Sequence, residues 1–452
     1  MIEHMKTIAL WILIILSVVL TMQIWTFQPD YEIIPQSDYF QSEAIGEERS
    51  IKESLKPNQI YIHEEDQSYW LNPTNYSYDN ILENLQGIRI DYLYQGADSY
   101  ANSLYDVEGI ELYFPNRFKI EWVETMLDVN FDQDISLNTI DRFLLFVNDR
   151  SINTEVSIRL ISTSDQSFYQ GNTNLSINQL KTLYNQFLHQ IVAVETNSMI
   201  QRNNVYERNY VPNESFELNE YSYFLERFTE DAFVQSLFSD PESVKHYSQG
   251  NQENAYTDGN RLLNIIENGD VLRYIHPSNN QRVRGDRSIL EASNDFINGH
   301  SGWTDDYRLD RWQEGSINDR AFYTLFVDGL PIMGSLDNAS EHYSIQITRS
   351  GNQISEYVRP LFQLDENPFG TTIRTLPSFE IFLDIIEEIE TVQIERVEDI
   401  TIGYYMRKQG ASLVIFEPAW FVKERGTWKH VAIPENASID VLDREADQNG
   451  LE

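Results

Sequence analysis

Few residues in this chain have the types and spacing that catalysis or metal binding demands. The eight histidines, at positions 4, 63, 189, 246, 276, 300, 342 and 430, are scattered, and no two stand four apart as helical zinc ligands do. There is no cysteine, which removes disulfides, thiolate nucleophiles and thiolate metal sites together. Gly299-His300-Ser301-Gly302 carries part of a nucleophile elbow, but that turn needs glycine two residues after the serine, between a strand and a helix. Here glycine follows at once, and a helix C-cap accounts for the stretch. Asp128, Asn130, Asp132 and Asp134 alternate like calcium ligands, yet Gln133 stands where glycine is needed and Thr139 where a bidentate Glu belongs. A solvated acidic loop is the simpler explanation. With 71 acidic residues, any fold brings some carboxylates together, so a glycosidase pair leaves no distinctive signal. No Walker or G-x-G-x-x-G motif occurs. The sequence therefore predicts a non-enzymatic protein with no catalytic, cofactor or metal residues, and no cofactor.

Charge and aromatic content narrow the field further. The 71 acids against 33 bases give a formal net charge of -38, which repels phosphate backbones and argues against nucleic acid as a partner. Such an excess keeps a surface soluble in saline or alkaline surroundings. Aromatic residues are abundant, with 26 Tyr, 23 Phe and 8 Trp, and most alternate within strand-like runs as core residues do. Phe416, Trp420, Phe421 and Trp428 cluster near the end and read as core, with an interaction surface as the other option. The sequons at Asn75, Asn174, Asn213, Asn338 and Asn436 read as Asn-rich loops.

The elements that would position any site begin with an anchor. Residues 1–6 form a short stub, and Thr7 to Phe27 run without a charge. Twenty-one residues at helical rise span about 31 Å, the thickness of a bilayer's hydrocarbon core. The stretch ends in Trp25, Thr26, Phe27, an interfacial aromatic belt rather than a signal-peptidase site. Lys6 precedes it and six acids follow before Arg49, so the positive-inside rule puts the N-terminus in the cytoplasm and the rest outside the cell membrane. Ser17 and Thr21 form a small-xxx-small pair that lets another helix approach.

Beyond the anchor, residues 28–57 read as an extended acidic stalk, followed by α+β parts at 58–205, 206–285 and 286–440 and a polar tail at 441–452. Strands are expected at Gln59–His63, Gly87–Tyr94, Ile110–Phe114, Arg142–Asn148, Glu155–Ile161 and Ser167–Tyr169. Helices are expected at Ile177–Val194, Leu218–Phe238, Ser288–Gly299 (capped by Asp286 or Ser288) and Ser378–Glu390. Hairpins turn at Asn268-Gly269-Asp270, Gly351, Gln409-Gly410 and Arg425-Gly426. Two of them close alike, as Tyr274-Ile275-His276-Pro277 and Tyr357-Val358-Arg359-Pro360. The predicted fold is thus one transmembrane helix and a multidomain ectodomain of antiparallel sheets packed with helices. Repeated helix-plus-hairpin units fill its second half.

Taken together, the stub and apolar helix ending WTFQPDYE (Trp25–Glu32), the long acidic ectodomain and the closing ITIGYYMRK … FEPAWFVKERGTW (Ile400–Trp428) resemble the YycH proteins of low-GC Gram-positive bacteria. The most specific stretches are the anchor-to-stalk junction and Glu417-Pro418-Ala419-Trp420. The resemblance implies an accessory regulator of a WalK-like sensor histidine kinase in a two-component system controlling cell-wall metabolism, partnered by a YycI-like sister protein. It implies no catalytic residues. It makes the transmembrane helix, with Trp11, Ile14, Ser17, Val18, Thr21 and Trp25, the element that touches the kinase. Two other readings remain: a ligand-binding sensor of wall fragments or peptides, which predicts a concave pocket lined by Tyr and Trp, and a wall-associated hydrolase, which predicts one essential acidic pair.

Overall fold

Alternating apolar side chains build a nine-stranded sheet from the first half of the chain. Its strands are Gln59–His63 (β1), Ser68–Leu71 (β2), Ile90–Gln95 (β3), Gly109–Phe118 (β4), Ile140–Asn148 (β5), Glu155–Ser162 (β6), Ser167–Thr173 (β7), Ile191–Thr196 (β8) and Tyr210–Pro212 (β9). They run in the order β3-β7-β6-β5-β4-β1-β2-β8-β9. Helices Ile51–Ser54 (α1), Asn75–Leu85 (α2), Ile120–Leu127 (α3) and Ile177–Asn185 (α4) accompany them, with α4 packed on β4, β5 and β6. The Thr74 and Ser176 hydroxyls accept from the Ser77 and Gln179 amides and so cap α2 and α4. This computed structural model describes Lys6, Trp11, residues 13–14, residues 16–18 and residues 45–433. Within the last range 65–66, 98–103, 132–134, 149–154, 198–205, 251, 278–286, 336–338 and 389–391 are excepted.

The second half forms a fifteen-stranded sheet. Its strands are Phe216–Arg227 (β10), Lys245–Gly250 (β11), Glu253–Thr257 (β12), Leu262–Ile266 (β13), Val271–Ile275 (β14), Tyr307–Glu314 (β15), Asn318–Val327 (β16) and Leu330–Ser335 (β17). Ser344–Ser350 (β18), Gln353–Pro360 (β19), Phe362–Leu364 (β20), Gly370–Leu376 (β21), Val397–Gln409 (β22), Leu413–Glu424 (β23) and Thr427–His430 (β24) complete it. Helices Glu230–Leu237 (α5), Ile289–Gly299 (α6) and Phe379–Glu388 (α7) pack on it, α6 against β16 and β19. On α7, Phe382 stacks on Trp420 with ring centroids 4.6 Å apart. The α+β class and the hairpins at residues 268–270, 351, 409–410 and 425–426 follow the sequence expectation. The two hairpins with like endings do not stay separate units, because β14 pairs with β19 and sets Tyr274 opposite Tyr357. The tight β16–β17 turn at Asp328-Gly329, both at positive φ, is the two-residue type that an Asp-Gly pair favours.

Two predicted helices are corrected. The Leu218–Phe238 segment is a strand to Arg227, and only Glu230–Leu237 is helical. Backbone pairing decides it, since β10 bonds to β21 and β20 on one side and to β23 on the other, and its Tyr-rich centre suits a sheet. The Ile177–Val194 helix stops at Asn185, and β-branched Ile191, Val192 and Val194 go into β8, which pairs with β2. Helices α2 and α3 and strands β11, β12, β15, β16, β17, β20 and β21 lay outside the expected elements.

The chain divides into two units, residues 1–43 and residues 44–452. In the first, the described residues are helical. In the second, the C-terminal end of the expected stalk is docked rather than free. The Gly46 amide donates to the Ser301 carbonyl at 2.7 Å, and Arg49 Nη1 to the Asp305 carbonyl at 2.6 Å. The two sheets of this unit are tied together by side chains. Arg308 Nη2 donates to Asn75 Oδ1 at 2.8 Å, Asn116 Nδ2 to the Leu309 carbonyl at 3.0 Å, and Trp122 lies edge-on to Trp312 with centroids 4.8 Å apart.

Candidate functional site

Glu111 interrupts the apolar run of β4 and Arg142 opens that of β5, so antiparallel pairing carries both charges indoors. Glu111 is 0% exposed, and Arg142 and His63 are each 1% exposed. Arg142 Nη1 donates to Glu111 Oε1, and its Nη2 donates to the Arg208 carbonyl. His63 completes the group, with Nε2 2.9 Å from Glu111 Oε2 and Nδ1 2.9 Å from Ser68 Oγ. Burial pushes the Glu111 carboxyl up, but the Arg142 guanidinium and the His63 hydrogen bond outweigh it and hold the group below the usual range. Breaking such a pair by removing one partner costs about 3–5 kcal/mol. The guanidinium also lies over the Tyr113 ring, 4.3 Å from its centroid. This triad stiffens a wall and is closed to any substrate.

In front of that wall a cavity of about 1220 Å³ opens between the two sheets. Tyr61, Tyr113 and Tyr210 line it from the first sheet, and Trp312, Tyr405 and Trp428 from the second. The concave, Tyr- and Trp-lined pocket expected of a ligand-binding body is therefore present. Three lining carboxylates, Asp141, Glu207 and Asp399, are close enough to act on the Tyr113 hydroxyl. Asp399 is pushed up to about 6 by burial, with Glu207 adding to the rise. The Ile400 amide (2.9 Å), Lys423 and Arg142 only partly oppose it. Burial also raises Asp141, against Arg142 and two hydrogen bonds from Thr163. The basic Arg117 and Arg311 stand exposed at the opening.

The sequence did not single out these charges, although a charged residue inside an apolar strand run is the signal that marks Glu111 and Arg142. Elsewhere, its readings meet mixed outcomes. Phe416, Trp420 and Phe421 are core, while Trp428 is half-buried at the cavity. Gly299-His300-Ser301-Gly302 is a helix end: the Gly302 amide bonds to the Ile297 carbonyl at 2.9 Å. His300 Nδ1 lies 2.8 Å from the Phe296 carbonyl oxygen, not on Ser301. Asp128 is the left-handed C-cap of α3, and residues 132–134 of the acidic loop lie outside the described residues. Among the described residues no group of His and carboxylates is arranged to hold a metal ion. Of the expected kinase-facing positions, Trp11, Ile14, Ser17 and Val18 are helical and exposed, and Thr21 and Trp25 lie outside the described residues. Among the described residues no helix is long and apolar enough to cross a membrane; most of the Thr7–Phe27 span lies outside them.

Comparison with known proteins covers the chain from end to end. The family model for the YycH protein, N-terminal domain, matches residues 3–206, and that for the YycH protein, C-terminal domain, matches residues 206–436. The two-component system WalR/WalK regulatory protein YycH of Bacillus subtilis (strain 168) is 23% identical over 471 aligned positions, covering 100% of this chain and 99% of that protein. The crystal structure of YycH from Bacillus subtilis superposes with a TM-score of 0.70 at 18% identity, covering 86% of this chain and 98% of that one. With both family domains matched in order and the same fold in a solved member, this chain belongs to the YycH family.

Proposed function

We propose that this chain is a membrane-anchored, non-enzymatic accessory regulator of a two-component sensor histidine kinase governing cell-wall homeostasis. In this reading it sits in the cell membrane with its N-terminus in the cytoplasm, and it acts through helix and ectodomain contacts with a WalK-like kinase and a YycI-like sister protein. The observation that carries it is full-length similarity to a relative named as a WalR/WalK regulatory protein. The exposed apolar side chains of Trp11, Ile14 and Val18 support a helix that has a partner to meet. Little energy is required: shifting a two-state kinase tenfold takes about 1.4 kcal/mol of differential contact.

The test is crosslinking and pull-down of the full chain against the kinase and the sister protein, with the native anchor and with residues 7–27 replaced by an unrelated membrane helix. Association that weakens at least tenfold on replacement supports regulation through the bilayer. Failure to associate with either partner, native anchor included, sinks the proposal. The aromatic cavity favours a second reading, compatible with the first, in which the ectodomain also senses a small ligand.

A further inference from the structure

The charges of the cavity are sorted by depth. Asp141 is buried and Asp399 is largely so, whereas Arg117, Arg311 and Lys429 on the same lining are exposed. Two acids that raise one another in a confined space are relieved by a proton or by a cation. Lys423 is the nearest resident cation to Asp399 on its own strand pair, but its Nζ sits over the Trp428 ring, 5.5 Å from the centroid, without a direct ion pair to the acid. Asp399 accepts only its own neighbour's amide among the described residues. A further acceptor stands beside these acids. The Tyr210 side chain is 8% exposed and lines the cavity, and its hydroxyl lacks a well-formed hydrogen bond, although the Arg208 guanidinium lies near it.

We propose that the cavity binds a short peptide by a free primary amine, seated between Glu207 and Asp399 with the Tyr210 hydroxyl as third acceptor and the peptide carboxylate toward Arg117 and Arg311. An ammonium group offers three donors, matching two carboxylates and a phenol. Rings on both sides add cation–π attraction. The volume lies above the roughly 300–1,000 Å³ of drug-sized sites, leaving room for several residues of chain. A phosphate-bearing ligand would meet the acids first, and a neutral glycan would leave them unanswered.

This inference deepens the ligand-sensing reading and rests on it. It is tested by calorimetric titration of the full chain in detergent with the tripeptide Lys-Ala-Ala and with its fully N-acetylated form. The free tripeptide binds, acetylation weakens it at least tenfold, and Glu207→Gln and Asp399→Asn each weaken it at least tenfold while thermal midpoints stay at or above wild type. Because the chain is so acidic, Asp231→Asn with Glu380→Gln, exposed acids away from the cavity, serves as a control that binds like wild type. A control variant weakened as much as the cavity variants shows attraction by net charge alone and overturns the proposal. Equal binding of the acetylated form overturns the amine preference and leaves ligand sensing standing. Absence of binding by both forms sinks both.

Discussion

Asp305 shows how a single side chain ties stability to pH. Its carboxylate accepts from the Leu364 amide at 3.0 Å and the Thr304 hydroxyl at 2.9 Å, yet burial pushes it up to about 6 despite Arg359 and Arg49 nearby. The unfolded carboxyl titrates near its ordinary value of about 4. Folding therefore prefers the protonated form, and the ionised form becomes a growing liability as pH rises from about 4 to about 6. Wild type should lose about 1–3 kcal/mol across that window relative to Asp305→Asn, as read by urea unfolding at pH 4 and pH 7. A difference between the two proteins that does not change with pH refutes the assignment. Asp399, also raised to about 6, contributes in the same direction and remains in both proteins, so it cancels in the comparison. These acids, like Glu111 and Arg142, were not legible in the sequence as special. Among 71 acidic residues nothing marks the few that folding buries.

Elements fared according to how local their causes are. Helix α6 is legible because its stop and start are written in neighbouring residues. Ser288 Oγ accepts from the Glu291 amide at 3.2 Å, Glu291 reaches back to the Ser288 amide at 2.8 Å, and Gly299 ends the run. Ser288→Ala should cost about 1 kcal/mol, seen as a lowered denaturation midpoint with unchanged slope. A stability equal to wild type would show that the box is idle. Strand β10 was misread for the opposite reason. Glu217, Glu220 and Glu226 stand among its aromatic residues at spacings that also suit a helix. The choice is made by β21 and β23, which lie about 150 to 200 residues away and bond to its backbone from both sides.

At the scale of the whole molecule, strands from the expected 206–285 part and from the 286–440 part share one sheet, through β14 with β19 and β10 with β21 and β23. Residues 206–285 expressed alone should then show no cooperative thermal transition, because their sheet edges would be left unpaired. A sharp transition in that fragment would make it an independent domain. The sheet-to-sheet ties at Arg308–Asn75 and Trp312–Trp122 hold the walls of the cavity at a fixed separation, so a ligand meets a preformed site.

The sequence by itself determined what short-range chemistry controls: hairpin turns at Asn-Gly and Arg-Gly pairs, capped helices, the apolar run at residues 7–27, and the absence of thiol chemistry. Family resemblance rode on the same local stretches. Only the tertiary structure decided which strands pair, which of the many charges go indoors, and that a cavity opens between the sheets. Those outcomes depend on contacts such as His63 with Glu111, 48 residues apart, and Arg308 with Asn75, 233 apart. Periodicity reports which face of an element is apolar; it carries no record of the distant segment that face will meet.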